Sequence, residues 1–294
     1  MRNILLIDSN NLLHRVFWVH KSYAKNASVP HLFLNSIKKY YNMFEPDVTY
    51  LAWDSKIFHG ETNFRKESLK EYKATRDRAQ DDDIYQHEKS IKSLCESLGM
   101  HNICPGVLEA DDVLYWLSDH FKNDLKTVVS VDKDLIQLVN ENTNVFSPIK
   151  EVLITMDNFE EINKISKDHF ISHKALVGDK SDNIFGVPRI GDKTAKRLLT
   201  EGSVKEKLSD ENYGVYTKNL DLIDLSRALN FHPNEEKVYK EQLDAFEDTA
   251  DVSNFKSLCE EYGLKSILNS MEDWRGTFFK NEFINRLQAF LDSK

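Results

Sequence analysis

The chain has 294 residues, of which 40% are hydrophobic and 30% are charged, and its formal net charge at pH 7 is -9. This length can bury a large core, which excludes a peptide-sized module and fits one large domain or a core with a smaller helical part. A net negative charge usually argues against a nucleic-acid partner, because phosphate contacts need Lys and Arg. That argument fails if many of the acids form a metal site, where bound cations would neutralise them.

Cysteine usage and hydropathy predict the cellular setting. The three cysteines are too few and too scattered for a disulfide framework or a zinc site, and the odd number favours a reducing compartment. No apolar run approaches the length of a membrane span, and the N-terminal residues pass into a short strand without a signal-peptide pattern. We therefore expect a soluble cytoplasmic protein with no membrane partner, in the host cytoplasm if a phage encodes it.

Short aliphatic segments alternate with helical patterns over the first part of the chain. Strands are predicted at residues 3–7, 48–52 and 127–131, and helices at residues 32–41, 85–98 and 110–121. This alternation predicts an α/β fold with a central, mostly parallel sheet flanked by helices, whose ligands bind beyond the carboxyl ends of the strands. Strand signals stop after about residue 173. We therefore divide the chain into an α/β core, residues 1–173, and a helical C-terminal region, residues 174–294.

Each predicted strand is followed by an aspartate. Asp8 ends the first strand and could also cap the next helix, while Asp54 ends the second strand and could also be a turn residue. Asp132 and Asp134 follow the third strand. They point to the same side if the extended backbone continues that far, which is hard to explain as capping.

Two further groups of acids precede or begin helical patterns. Helical spacing places Glu109 and Asp112 on one side of a predicted helix and turns Asp111 roughly opposite, although acids in a first turn are also ordinary partners of the helix dipole. Asp179 and Asp182 are three residues apart, so a helical turn would bring them together. A polar loop before a glycine-containing turn is the alternative for this pair.

Each acid has an ordinary structural explanation, but capping alone does not account for the repeated order of strand, acid and helix. Carboxylates gathered in one cleft would hold two Mg²⁺ ions against a phosphate, and this is nuclease chemistry. The predicted metal ligands are Asp8, Asp54, Glu109, Asp111, Asp112, Asp132, Asp134, Asp179 and Asp182.

A glycine-containing turn leads into a basic helix in the segment FGVPRIGDKTAKRLL. Backbone amides at a helix N-terminus bind phosphate oxygens, and basic side chains neutralise neighbouring phosphates. This is the pattern of a helix-hairpin-helix element, at about residues 174–202, that binds duplex DNA independently of sequence. Its predicted DNA-binding residues are Gly186, Gly191, Lys193, Lys196 and Arg197. A plain helix connection with solvated lysines is the alternative, but it explains neither glycine.

A second segment, FRKESLKEYKATRDR, interleaves basic and aromatic residues. This composition suits a single strand, because the charges follow the nucleic-acid backbone while a ring can stack on a base. We expect Arg65 and Tyr72 to contact nucleic acid in this way. An amphipathic surface helix is the alternative.

Together these pieces resemble the flap endonuclease family of 5′ nucleases, in particular the bacteriophage enzymes called 5′-exonuclease or ribonuclease H. The matching motifs occur in family order between about residues 4 and 200, and they are LLIDSNN, AWD, EYKATR, GVLEADD, SVDKDLIQL and ALVGDKSDNIFGVPRIGDKTA. The resemblance implies a PIN-like nuclease core with a helical arch near residues 56–88. It also implies structure-specific hydrolysis of DNA or RNA at 5′ ends and flaps, with RNA-primer removal during phage replication.

The resemblance further implies roles for individual residues. Lys73 and Arg76 would contact the scissile phosphate from the arch, and Tyr72 would stack on the base beside it. The first ion would be held by Asp8, Asp54, Glu109, Asp111 and Asp112. The second ion would be held or positioned by Asp132, Asp134, Asp179 and Asp182.

The same resemblance implies cofactors and partners. The expected ions are two Mg²⁺, for which Mn²⁺ can substitute, and K⁺ can bind to backbone carbonyls of the hairpin element. The expected substrates are DNA molecules with 5′ flaps, nicks or RNA primers. Replication proteins such as a single-strand binding protein or a sliding clamp are expected partners of a protein that is itself a monomer.

Two other functions compete with this interpretation. A non-catalytic nucleic-acid-binding module would keep the hairpin and the basic segment but would lose the carboxylates, all of which are present. A metal-dependent phosphatase on an α/β sheet would explain aspartates at strand ends but has no use for the hairpin. Magnesium-dependent hydrolysis of a small phosphomonoester, without cleavage of a flap, would favour the phosphatase.

Overall fold

The computed structural model describes residues 1–23, 26–55, 63–75, 79, 81–246 and 250–279. Its first strands are β1 (Asn3–Asp8), β2 (Val48–Ala52), β3 (His101–Ile103), β4 (Leu125–Val129), β5 (Thr143–Ser147) and β6 (Val152–Ile154). Within the described residues they form a six-stranded sheet in the order β3-β2-β1-β4-β5-β6. Neighbouring strands are parallel except β5 and β6, so the predicted mostly parallel sheet is confirmed.

The central strand β1 explains how the fold brings an acid to one edge of the sheet. Leu5 and Ile7 belong to the core on one face, while Ile4 and Leu6 belong to the core on the other, because side chains alternate along a strand. A strand buried on both faces needs a continuous aliphatic run, and the first polar residue after it is Asp8. β1 lies between β2 and β4, where the strand order reverses, and an open α/β sheet binds its ligands in the crevice at such a point.

Helices cover both faces of this sheet. In chain order they are α1 (Ser9–Ser22), α2 (Val29–Phe44), α3 (Phe64–Ser68), α4 (Asp81–Tyr85), α5 (Glu88–Ser97), α6 (Ala110–His120), α7 (Phe159–Asn163), α8 (Lys167–Val177), α9 (Asp192–Thr200), α10 (Val204–Lys207), α11 (Asp210–Ile223), α12 (Ala228–Phe231), α13 (Glu235–Asp244), α14 (Val252–Glu261), α15 (Lys265–Asn269) and α16 (Met271–Phe278). Helices α1, α2 and α5 pack on one face, and α6 packs on the other. The prediction of a sheet flanked by helices is therefore confirmed.

The C-terminal region is mainly helical, but it is not free of strands as the sequence had indicated. A short antiparallel hairpin, β7 (Gly178–Asp179) and β8 (Ile184–Phe185), lies between α8 and α9. Helices α8, α9 and α11 share a small core of their own. In contrast, α14, α15 and α16 return to the first face of the sheet and pack against α2 and α5, with Phe255 and Trp274 in that core.

Local geometry after β4 also differs from the expectation. β4 ends at Val129 rather than at residue 131, and a 3-10 helix, Asp134–Leu138, follows after a short turn. Asp132 and Asp134 therefore do not point to one side of an extended strand. The Oδ1 atom of Asp132 instead accepts a hydrogen bond from the backbone N–H of Asp134 at 2.8 Å.

In the described ranges, no helix combines the length and the apolar character needed to cross a membrane.

Candidate functional site

Asp8 is both a helix cap and a member of the site. Its Oδ1 accepts a hydrogen bond from the backbone N–H of Asn11 at 3.1 Å, and its Oδ2 accepts one from the Ser130 hydroxyl at 2.5 Å. The residue is buried, with 5% of its surface exposed. Because Ser130 directly follows β4, this bond ties the carboxyl ends of the two central strands together.

Asp54 connects the end of β2 to the start of α6. Its Oδ1 accepts a hydrogen bond from the N–H of Ala110, the first residue of α6, at 2.8 Å. Its own N–H donates to Oδ1 of Asn10 at 2.8 Å, which adds the start of α1 to the same junction. The carboxylate thus lies at a helix N-terminus, where the helix dipole stabilises negative charge.

Asp111 and Asp132 complete a group of mutually repelling acids. Burial, followed by the charges of Asp132 and Asp8, raises the pKa of Asp111 well above its usual range. Burial also raises the pKa of Asp8 to about 7, and the charges of Asp132 and Asp54 add to that rise. Carboxylates that are removed from water and repel each other favour a proton or a cation. We call Asp8, Asp54, Asp111 and Asp132 the first acidic group.

The ammonium group of Lys174 bridges Asp134 and Asp179, which we call the second acidic group. Lys174 pairs with Oδ2 of Asp179 at 2.6 Å and also with Oδ1 of Asp134. Burial raises the pKa of Asp134 to about 6 despite this lysine. Burial also opposes ionisation of Asp179, but the charge and hydrogen bond of Lys174 lower that pKa to about 2. Together with Asp132 these residues line an open cavity of about 770 Å³.

Glu109 accepts hydrogen bonds from two consecutive residues after α3. The Lys73 ammonium donates to Oε1 and the Tyr72 hydroxyl donates to Oε2, each at 2.9 Å. Burial opposes ionisation, but the charges of Lys73 and Arg65 lower the pKa of Glu109 to about 2. The structure thus places the Lys73 ammonium next to Glu109, and its contact with the scissile phosphate stays a prediction. Tyr72 is only 4% exposed in this structure, and its stacking on a base stays a prediction.

The side chains of Arg65 and Asp112, which were predicted to contact DNA and a metal ion, are buried against each other. Arg65 is 1% exposed and Asp112 is 3% exposed. The guanidinium donates to both carboxylate oxygens of Asp112, at 2.6 and 2.7 Å, and its Nε donates to the carbonyl of Leu222 at 2.9 Å. In this bidentate pair both carboxylate oxygens of Asp112 accept from Arg65, whose own side chain is almost fully buried. Contact of Arg65 with DNA and of Asp112 with a metal ion stay predictions.

Glu109 and Asp112, which helical spacing placed on one side, lie next to each other, although Glu109 itself precedes the helix. Glu109 is the N-cap of α6 and has an extended backbone conformation. Its N–H donates to Oδ2 of Asp112 at 3.1 Å, as in a capping box. Asp111, which the spacing turned away from the other two, is the residue of this motif that joins the first acidic group.

Asp182 lies beside Lys73. Its backbone carbonyl accepts a hydrogen bond from the N–H of Lys73 at 3.2 Å. Burial favours the neutral amine of Lys73, but the charges of Glu109 and Asp182 outweigh it and hold the pKa of Lys73 well above its usual range. The segment between Asp179 and Asp182 is the turn of the β7–β8 hairpin, so the helical turn expected to join the two acids is absent there.

The two glycines of the predicted hairpin element lie in different surroundings, one crowded and one open. A Cβ atom on Gly186 would lie 2.2 Å from the carbonyl oxygen of Val177, so only glycine fits where the chain leaves β8. Gly191 is the N-cap of α9, and no atom would meet a Cβ placed on it. The N-terminus of α9 is therefore open on the side of Gly191.

The basic residues of α9 remain on the surface. Lys193 and Arg197 are exposed, while Lys196 is half-buried and pairs with Asp192 at 3.1 Å. Arg76 lies outside the described residues, as do residues 56–62, 77, 78 and 80 of the predicted arch. The described flank, residues 63–75, packs on the core through its buried side chains.

Sequence reasoning missed Asn10, Ser130 and Lys174, which position the acids. Asn10 and Ser130 each stand two residues from a predicted ligand, Asp8 or Asp132, and both lie within the motifs already singled out. Their position two residues from a predicted metal ligand was the feature of the sequence that could have identified them. Lys174 precedes the glycine-aspartate turn by four residues, and no pattern in the sequence distinguished it from a solvated lysine.

The donor set suits a hard divalent cation, since it consists of carboxylate oxygens, two of them on side chains with raised pKa values. In their present positions, however, no three His, Cys, Asp or Glu side chains of the described chain form a group that could hold a metal ion. Ion binding would therefore require these side chains to move toward one another.

Two protein-family models match the chain and show which family it belongs to. Residues 3–166 match the model of the 5′-3′ exonuclease N-terminal resolvase-like domain, and residues 165–255 match the 5′-3′ exonuclease C-terminal SAM fold. The chain belongs to the 5′-3′ exonuclease family. It is a nuclease of the hydrolase class, and the resemblance seen in the motifs is confirmed.

Individual members of the 5′-3′ exonuclease family are similar over most of the chain. The 5′-3′ exonuclease of Mycoplasmopsis pulmonis is 33% identical over 210 residues, which cover 70% of this chain and 69% of the relative. The Bacillus subtilis enzyme of the same description is 31% identical and covers 77% of this chain and 81% of its own. The DNA polymerase I of Streptococcus pneumoniae serotype 4 is 30% identical over 292 residues, but these are 33% of the polymerase.

Solved structures agree on the fold. The T5 D15 protein co-crystallized with metal ions has a TM-score of 0.70 at 23% identity, covering 83% of this chain and 99% of that one. The T5 D15 flap endonuclease in a pseudo-enzyme-product complex with DNA and metal ions has a TM-score of 0.69 at 23% identity, covering 83% and 98%. The PIN-like α/β core with a helical C-terminal part is thereby confirmed.

Proposed function

We propose that this 5′-3′ exonuclease is a structure-specific nuclease that hydrolyses DNA and RNA at 5′ ends and 5′ flaps with the help of two divalent ions. One observation carries the proposal. Acids from the ends of β1, β2 and β4 and from the start of α6 converge at the strand-order reversal of the sheet, with the Lys73 ammonium next to them. The expected biological role is removal of RNA primers and flaps in DNA replication, in particular of a phage.

The first acidic group and Glu109 would hold one ion, and Asp134 and Asp179 together with Asp132 would hold the other. Mg²⁺ is the expected ion and Mn²⁺ its substitute, because both prefer carboxylate oxygens. When bound, a pair of such ions lowers the pKa of the attacking water and offsets the negative charge that develops on the phosphate oxygens. The crystal structures of the T5 protein with metal ions and DNA support metal ions as cofactors and DNA as the substrate.

Lys73 would bind the scissile phosphate. Its charge is held at Glu109, so a phosphate oxygen entering the site meets an ammonium group that is already oriented and little exposed. An oriented and desolvated cation stabilises developing negative charge more strongly than a solvated one. Glu109 also keeps the lysine protonated, because its carboxylate holds the pKa of Lys73 well above its usual range.

Duplex DNA behind the cleavage point would bind at the N-terminus of α9. The open approach at Gly191 exposes backbone amides there, and Lys193 and Arg197 are free to neutralise nearby phosphates. Lys196 would also neutralise a phosphate once its salt bridge to Asp192 is broken. K⁺ bound by backbone carbonyls of this turn remains a prediction.

Cleavage of a 5′-labelled flap, in DNA and RNA versions, tests the proposal. With Mg²⁺ present, the wild type should release short 5′ products, and Asp132→Asn should lower the rate by about 100-fold or more, since even residues that only support a metal ligand cost up to that factor. Asp119→Asn is the matched control, because Asp119 is an exposed acid at the other end of α6.

Three results would count against the proposal. Equal rates for the wild type and Asp132→Asn would remove Asp132 from the machinery. Hydrolysis of a small phosphomonoester without flap cleavage would favour a phosphatase. Flap binding without cleavage under any divalent ion would favour a non-catalytic module.

A further inference from the structure

The backbone after α3 is bound to the β7–β8 hairpin by three hydrogen bonds. The N–H of Lys73 donates to the carbonyl of Asp182 at 3.2 Å. The side-chain amide of Asn183 donates through Nδ2 to the carbonyl of Glu71 at 2.9 Å, and its Oδ1 accepts from the Thr75 hydroxyl at 3.0 Å. One side chain, that of Asn183, thus binds the chain on both sides of Lys73.

Both residues at the centre of this contact have left-handed backbone conformations. The φ angle is 52° at Lys73 and 59° at Asn183. Asn adopts this conformation readily, but a lysine does so only where surrounding contacts enforce it. The turn at Lys73 matters because Tyr72 and Lys73 are consecutive, yet both side chains reach the carboxylate of Glu109. The hydrogen bonds of Asn183 hold the backbone in the position that lets both side chains reach Glu109.

Asn183 is also directly connected to the element that would bind the duplex. It immediately precedes β8, and β8 leads to Gly186, which is packed on the carbonyl of Val177 without room for a side chain. The path from Asn183 to the N-terminus of α9 is therefore short, and it is anchored to α8 next to Gly186, where the N–H of Val187 donates to the carbonyl of Leu176 at 2.8 Å. A displacement of the hairpin would be transmitted to Lys73 through the amide of Asn183.

We propose that Asn183 is a positioning residue, which holds Lys73 against the acids. The inference rests on the proposed nuclease function and deepens it. Asn183 does not touch the reacting atoms and acts through the backbone at Glu71 and the hydroxyl of Thr75. Its removal should therefore slow the chemical step and leave substrate binding intact.

Asn183→Gly is the decisive variant, because glycine keeps the left-handed backbone and removes only the amide. Single-turnover cleavage of a DNA flap should slow by about ten-fold or more, since small misplacements of a catalytic group can cost two orders of magnitude. The Kd for the same flap, measured in EDTA, should stay unchanged. Amide hydrogen exchange should become faster in residues 69–75 while the melting temperature of the whole protein is preserved.

Three further variants control for simple structural damage. Thr75→Val removes one of the two bonds and should show the same effect more weakly, whereas Thr75→Ser keeps the hydroxyl and should retain the wild-type rate. Glu45→Gly introduces glycine at another left-handed position, with φ 45°, at the opposite end of the sheet, and should change nothing.

The outcomes separate this inference from the function on which it rests. No flap cleavage by the wild type would refute the proposed function. Wild-type cleavage with an unchanged rate in Asn183→Gly would refute only the role of Asn183. A simultaneous loss of cleavage rate, flap affinity and melting temperature would show that Asn183 only stabilises the fold. That result would also overturn the inference.

Discussion

Asp111 and Asp112 are adjacent on α6, yet only Asp111 reaches the first acidic group. The difference lies in which oxygen atoms are already in use, because both oxygens of Asp112 accept from Arg65. The pKa of Asp111 is raised well above its usual range by burial and by like charges. Acids with raised pKa values in a cleft are expected where function, rather than stability, determines the residue.

Asp8 gives a residue-level prediction about stability in the absence of metal ions. Burial raises its pKa from the ordinary 3.8 to about 7, so between these values the folded state keeps a proton that the unfolded state has lost. Stability contributed by Asp8 therefore decreases as the pH rises from about 4 to about 7. Asp8→Asn removes the cost of burying this charge. In the metal-free protein, the change that the substitution makes to the free energy of unfolding should therefore be about 2 kcal/mol more favourable near pH 8 than near pH 5.

Urea unfolding in EDTA at the two pH values measures this difference. Asp119→Asn, on the exposed end of α6, is the matched control. A loss of stability in Asp8→Asn that is equal at both pH values would mean that the hydrogen bonds from Asn11 and Ser130 outweigh the cost of burying the charge.

At the scale of elements, the sequence predicted the sheet and the acids at its edge because both follow from one pattern. An aliphatic run buried on two faces makes a parallel strand, and the polar residue after it must lie at the carboxyl edge, as Asp8 and Asp54 do. The pairing of Arg65 with Asp112 could not be predicted, because it depends on how residues 63–75 pack on α6 and α11. The same holds for the β7–β8 hairpin, whose strands of two residues carry no periodicity.

The two glycines around this hairpin give an element-level prediction. Gly186→Ala should destabilise the protein by about 2 kcal/mol or more, because the added Cβ would overlap the backbone of Val177. Gly191→Ala should cost less than about 1 kcal/mol as an N-cap change, but it should weaken duplex binding by narrowing the approach to α9. Thermal unfolding and a duplex-binding titration separate the two effects. Full stability of Gly186→Ala, or unchanged duplex binding by Gly191→Ala, would contradict the respective assignment.

For the whole molecule, the net charge of -9 is compatible with a nucleic-acid substrate because the charges are segregated. Buried acids are collected at the carboxyl edge of the sheet, and α9 presents Lys193 and Arg197 on the surface. The segment Val252–Phe278 packs on the opposite side, against α2 and α5, so it supports the sheet without entering the site. This return of the C-terminal helices could not be predicted from helical periodicity, which indicates a buried face but not its partner.

The acids at the carboxyl edge of the sheet are proposed to converge around two cations. A Mn²⁺ titration followed by electron paramagnetic resonance tests this directly without any substrate. We predict two bound ions in the wild type and in Asp119→Asn, with one ion lost in Asp111→Asn and the other lost in Asp134→Asn. Failure of the wild type to bind Mn²⁺, or equal occupancy in all four proteins, would contradict the account.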